Sequence, residues 1–166
     1  MKIIKLIIYG LIFSILFMTG CSKEISAKTI KTLKFENIKA ARIELARTGG
    51  SPTKNYTFDF NNPDHVKLLK DIVNSLNTGK VQGEADERIS NKGSSPTVLI
   101  LELKNGSIIQ IKAAVENKTT KLSHGSTEVS QIDIPGEIII STNTNEKPIR
   151  MLSPEIRKLI DNKVKI

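Results

Sequence analysis

The chain is poor in the residues that most often carry chemistry. It has one cysteine, two histidines and no tryptophan among 166 residues, and aromatics make up only 4%. A single cysteine excludes an intrachain disulfide, so stability has to come from packing and sheet hydrogen bonds. Zinc sites need clustered Cys and His at set spacing. His65 falls in the first turn of an expected helix, and His124 precedes Gly125 in a polar stretch. Both read as ordinary exposed residues, and no metal is expected. Beyond residue 20 the aromatics are Phe35, Tyr56, Phe58 and Phe60. These are too few for the stacking platforms that hold single-stranded nucleic acid. The excess of 25 basic over 17 acidic residues is therefore not read as a nucleic-acid footprint.

Reactive constellations are missing as well. Ser123-His124-Gly125 puts a hydroxyl beside an imidazole, but outside the strand–turn–helix elbow that exposes a nucleophile. Glu84, Asp86 and Glu87 are three acids on a polar stretch, whereas a glycosidase holds two carboxyls across a cleft with one in an apolar pocket. Gly49-Gly50 has no helix after it to cradle a phosphate. No catalytic residue and no cofactor are assigned, and the chain is expected not to be an enzyme.

The start of the chain is informative. Lys2 and Lys5 precede an uncharged run from Leu6 to Thr19, which is short of the roughly 20 apolar residues a membrane span needs. Positive residues followed by a short apolar core are the pattern of an export signal. Met18-Thr19-Gly20-Cys21 then closes the run and resembles the lipobox of bacterial lipoproteins, with Met where that motif usually has Leu. The resemblance implies cleavage between Gly20 and Cys21 and a diacylglyceryl group on the Cys21 thiol. Ser22 is not the Asp that would suggest inner-membrane retention. An uncleaved signal anchor is the competing reading. That the sole cysteine stands here favours lipidation.

Residues 1–20 are thus expected to be a signal peptide, and 21–34 a lipidated Cys with a Lys-rich tether. Residues 35–166 are expected to form one small domain. Lys23, Lys28, Lys31 and Lys34 either lie along anionic headgroups, each contributing about 1 kcal/mol when close, or solvate the tether.

Within the domain, Lys39 to Arg47 and Asn55 to Phe60 alternate with period two and predict a hairpin around Thr48–Pro52. Asn62 as cap, Pro63 and Asp64 open a helix whose stripe is Val66, Leu69, Ile72, Val73 and Leu76. Gly79 is expected to end it in a left-handed turn. Residues 83–96 and 116–126 read as long polar loops. Thr97 to Val115 reads as a hairpin with Asn105-Gly106 as a two-residue turn. That register puts Leu103, Leu101 and Leu99 opposite Ile108, Gln110 and Lys112. The other face, with Glu102, Ile100 and Val98 opposite Ile109, Ile111 and Ala113, is then the one to meet the helix. Glu128 to Thr142 is strand-forming, with Pro135-Gly136 as turn or kink. Ile149–Leu152 is a last strand, and Ser153-Pro154-Glu155 opens a helix burying Ile156, Leu159 and Ile160. The expected class is α+β, of order β-β-α-β-β-β-β-α, a mostly antiparallel sheet with two helices on one face.

The Asn105-Gly106 hairpin, Ile138-Ile139-Ile140-Ser141 and the run from Pro148 to Glu155 resemble YhfM-type lipoprotein domains of Gram-positive bacteria. Such domains end in a strand, a Ser-containing cap and a short helix. The resemblance lends no catalytic residue. The expected role is a non-enzymatic domain on the extracytoplasmic face of the cell membrane, binding an envelope protein or ligand through loops 83–96 and 116–126. A wall-directed hydrolase using loop carboxylates and a sensory or inhibitory module for a membrane protein are the alternatives.

Overall fold

A computed structural model of the chain describes residues 30–45, 55–85, 97–143 and 147–162. Among the described residues seven strands form one sheet: β1 (Ile38–Glu44), β2 (Asn55–Thr57), β3 (Lys80–Glu84), β4 (Val98–Leu103), β5 (Ile108–Lys121), β6 (Thr127–Thr142) and β7 (Ile149–Leu152). Their order across the sheet is β2-β1-β4-β5-β6-β7-β3, and every neighbouring pair is antiparallel. Helices α1 (Pro63–Thr78) and α2 (Pro154–Asp161) share one apolar core with the sheet. The α+β class is as expected, with one strand more than the sequence pattern suggests.

The extra strand is β3, which takes up Gly83 and Glu84 from the expected loop 83–96. Its pattern is polar because it is an edge strand paired only with β7. Residues 86–96 lie outside the described residues. Between the edge strands β2 and β3 the chain travels as α1, laid across the core face. Sixteen residues at 1.5 Å rise span about 24 Å, close to the roughly 29 Å that six strand spacings cover.

Local chemistry explains α1. Asn62 Oδ1 accepts hydrogen bonds from the backbone N–H of Asp64 (2.9 Å) and His65 (3.4 Å), and Pro63 needs no donor at the first position. Leu69, Ile72, Val73 and Leu76 are buried, while Val66 is half-buried. The end of the helix differs from expectation. Gly79 has φ −55° and ψ 145°, not a left-handed conformation. Close packing makes it glycine: a Cβ there would lie 2.6 Å from Met151 Sδ and 2.9 Å from the Ser75 carbonyl oxygen. Gly79→Ala is expected to lower unfolding free energy by about 2 kcal/mol through overpacking, readable as a lower urea midpoint with unchanged slope.

The β4–β5 register corrects the expected one by a single residue. Leu99 pairs with Ile111 and Leu101 with Ile109, while Val98, Ile100 and Glu102 pair with Lys112, Gln110 and Ile108. The turn has three residues, not two. Leu103 N–H donates to Ser107 O (2.8 Å), Gly106 N–H donates to Leu103 O (3.0 Å), and Gly106 has φ +85°. This is the type I turn with a left-handed glycine that three-residue hairpins favour. A one-residue slip moves every side chain to the other face. The helices therefore cover Leu99, Leu101, Leu103, Ile109 and Ile111, all in the core cluster, and not the face of Val98 and Ile100.

The core also reaches further toward the N-terminus than residue 35. Ile30 and Leu33 are 2% and 4% exposed and belong to the core cluster, so the end of the expected 21–34 tether is packed structure. Asn77 Nδ2 donates to the Leu33 carbonyl (2.9 Å) and ties this segment to α1. Among the described residues no helix is long and apolar enough to cross a membrane.

Candidate functional site

The expected loop 116–126 is mostly strand. β5 continues to Lys121, and β6 begins at Thr127 and pairs with it through Lys121↔Thr127, Thr119↔Val129, Asn117↔Gln131 and Val115↔Asp133. The result is a two-stranded ribbon that leaves the sheet beyond Val115 and Asp133. Seven residues per strand give it a length of about 23 Å. It is exposed along most of both faces, Val129 and Ile132 being 61% and 46% accessible. Its tip repeats the first hairpin. Leu122-Ser123-His124-Gly125-Ser126 has the Leu-x-x-Gly-Ser pattern of Leu103–Ser107, with Leu122 N–H to Ser126 O (2.8 Å), Gly125 N–H to Leu122 O (3.0 Å) and φ +78° at Gly125.

The ribbon begins at a large bulge. Ala113 pairs with Ile138 and Val115 with Asp133, so Ile134, Pro135, Gly136 and Glu137 stand opposite Ala114 alone. Pro135-Gly136 is thus a kink inside β6, which suits a proline that cannot donate to a ladder. At the bulge, Arg157 of α2 reaches three backbone carbonyls. Its Nη1 donates to the carbonyls of Ala114 (2.9 Å), Ile134 (2.9 Å) and Glu137 (3.3 Å). Nε donates to both Asp161 oxygens (2.9 and 2.8 Å), and Nη2 lies 3.0 Å from Asp133 Oδ1. Arg157 is 5% exposed. Beside it, Arg150 donates through Nε (3.1 Å) and Nη2 (2.8 Å) to Glu137 Oε2. Ser153 holds the cap position of α2, but its hydroxyl makes no capping bond; its N–H instead donates to Gly136 O (2.9 Å). The stripe of α2 is accordingly Ile156, Arg157 and Ile160, with Leu159 half-buried. A sequence signal for Arg157 existed in the Arg–Asp spacing of four to Asp161, but an arginine on a short helix ordinarily reads as exposed.

The other residues considered for chemistry are scattered. Ser123 Oγ and His124 Nδ1 are 2.8 Å apart on the exposed tip. Among the described residues no further side chain hydrogen-bonds the ring to orient it as a base, which a nucleophile pair requires. Glu84 Oε2 is ion-paired with Lys147 Nζ (2.9 Å) in solvent, while Asp86 and Glu87 lie outside the described residues. His65 is not simply exposed. It is half-buried, its Nδ1 accepts the Asp59 N–H (3.0 Å), and its ring meets Phe58 edge-on at 5.9 Å. Among the described residues no three His, Cys, Asp or Glu side chains group to hold a metal. Gly20 and Cys21 lie outside the described residues.

On the sheet face away from the helices, Arg42 bridges Glu44 (3.0 Å) and Glu102. Hydrogen bonds to Glu44 and then Glu102 raise its pKa above the ordinary arginine value. At the end of the sheet opposite the ribbon, a cleft of about 280 Å³ is lined by Thr32, Leu33, Asn37, Leu103, Lys104 and Asn105. Lys104 N–H donates to Asn37 O there (2.8 Å). Phe35 and Phe60 meet at 5.9 Å, and Lys70 Nζ sits 5.3 Å from the Phe35 ring centre. No protein family, no curated protein and no solved structure matches this chain.

Proposed function

We propose that the chain is an exported lipoprotein, anchored through lipid on Cys21 at the extracytoplasmic face of the cell membrane, and that its domain binds an envelope protein without catalysing a reaction. The observation that carries the anchoring is the apolar run Leu6–Thr19 ending in Met18-Thr19-Gly20-Cys21, with no other cysteine in the chain. Two acyl chains hold a protein firmly where one gives only reversible contact, at about 0.8 kcal/mol for each buried CH₂.

The ribbon supports the binding role. A two-stranded hairpin is marginally stable in water by itself. A ribbon with solvent on both faces gains little from apolar burial unless a partner covers it. The side chains are mixed in sign, with Lys118 and Lys121 on β5 and Glu128 and Asp133 on β6, which fits a protein surface better than a polyanion.

The anchoring is tested by growth with labelled palmitate. Wild-type chain is expected to carry the label, and Cys21→Ala to carry none and to keep residues 1–20. The binding role is tested by pull-down with the lipidated protein, with and without replacement of residues 116–132 by a short turn. A stoichiometric partner lost with the ribbon is the expected result. Turnover of wall fragments without any such partner would favour a hydrolase instead.

A further inference from the structure

The end of the domain opposite the ribbon combines three things that bear on one another. The first is the short distance in sequence from Cys21 to the described N-terminal segment. Nine residue steps separate Cys21 from the buried Ile30, and at no more than about 3.6 Å per step they reach roughly 32 Å at full extension. An anchored domain is therefore confined to a thin layer above the bilayer. At such closeness a weak surface contact is effectively intramolecular and needs little affinity of its own.

The second is charge. Lys31 and Lys34 are exposed on the N-terminal segment, and Lys104 is exposed on the turn hydrogen-bonded to it at Asn37. Lys70 joins them over Phe35. Glu36, Asp59, Asp64 and Asp71 are the exposed acids on these segments, against exposed Lys31, Lys34, Lys39, Lys67, Lys70 and Lys104, so positive charge prevails. The third is an apolar contact point. Phe60 is 36% exposed and rests on Phe35. Lysines around an exposed aromatic suit the boundary between headgroups and acyl chains, where the ring enters the boundary and the ammonium groups stay among the phosphates.

We infer that this end, with Lys31, Lys34, Lys104 and Phe60, docks on the anionic membrane surface and holds the ribbon tip away from the bilayer. The inference rests on the anchored reading given above. β5 starts at the docking end with Ile108 and runs fourteen residues to Lys121, so the tip can stand up to about 45 Å from the headgroups. Lipid anchoring alone would let the domain tumble. Docking gives it one orientation, with the ribbon presented outward.

The absence of tryptophan makes the test direct, because one introduced Trp is the only such fluorophore. The full lipidated chain is reconstituted into vesicles of equal parts phosphatidylglycerol and phosphatidylcholine with brominated acyl chains. Phe60→Trp is expected to be quenched and blue-shifted, and Leu122→Trp at the tip to be neither. In vesicles of phosphatidylcholine alone the Phe60→Trp quenching should fall. Changing Lys31, Lys34 and Lys104 to Gln should lower the docking equilibrium constant about fivefold per lysine. Should Phe60→Trp disturb its packing against Phe35, a fluorophore on Lys104→Cys reports the same contact from an exposed turn. Protein that floats with the vesicles while Phe60→Trp and the Lys104 label stay as unquenched as Leu122→Trp overturns the docking but leaves the anchor standing. Protein that does not float overturns both.

Discussion

Replacing Arg157 by methionine is expected to lower the stability of the domain by about 3 kcal/mol and its Tm by roughly 10 °C. Methionine fills similar space, so the loss reports hydrogen bonding more than a cavity. Three carbonyl oxygens, of Ala114, Ile134 and Glu137, lose the only side-chain donor shown to reach all of them. Leaving buried acceptors unpaired costs about 1–3 kcal/mol each, less where water can enter. Little of the effect should come from the two carboxylates. Asp133 and Asp161 are 74% and 49% exposed, so water screens much of their attraction for the buried guanidinium. Asp161→Asn should therefore cost under about 1 kcal/mol, and Arg157→Lys should recover only a minor part, since one ammonium cannot span the same fork. The site of damage is as specific as its size. Hydrogen exchange should accelerate first at residues 113–116 and 132–138, where the ribbon leaves the sheet. Uniform acceleration across the sheet would mean that Arg157 is no more than a generic core residue.

Leu101→Ala should be about as damaging, near 3 kcal/mol, because Leu101 is fully buried in a central strand between β1 and β5. The partner on β5 is Ile109, itself fully buried. Under a two-residue turn Leu101 would instead face Gln110, on a half-polar surface. The register is checked independently by cross-strand proton contacts between Leu99 and Ile111 in place of Leu99 and Lys112. Calorimetry of Leu101→Ala showing a loss under about 1 kcal/mol would reject the three-residue turn together with the packing it dictates.

What the sequence revealed followed the strength of its periodicities. α1 was legible because cap, proline and apolar stripe agree over its whole length. The strands β1, β4 and β7 were legible from alternation or from apolar runs. The register of β4–β5 was not, since Lys104-Asn105-Gly106 and Asn105-Gly106 alone are both sound turns, and only the tertiary core distinguishes a leucine row that is buried from one that is not. The ribbon was hidden for a simpler reason. Alternation signals a strand only when its two faces differ, and Glu116–Lys121 is exposed along nearly its whole length. The repeat of Leu-x-x-Gly-Ser at 103–107 and 122–126 was the available clue to a second hairpin. Arg157 escaped because its burial depends on a bulge whose residues lie on other strands. No local pattern around residue 157 encodes carbonyls brought together at 114, 134 and 137.

Membrane anchoring of this chain would depend on a covalent modification at one thiol, that of Cys21. Intact mass spectrometry of protein extracted from its native membrane measures it directly. The expected mass is that of a chain beginning at Cys21 plus a diacylglyceryl thioether, with the added mass on the N-terminal peptide. A mass that retains residues 1–20, or an N-terminal peptide with a free Cys21 thiol, would contradict it.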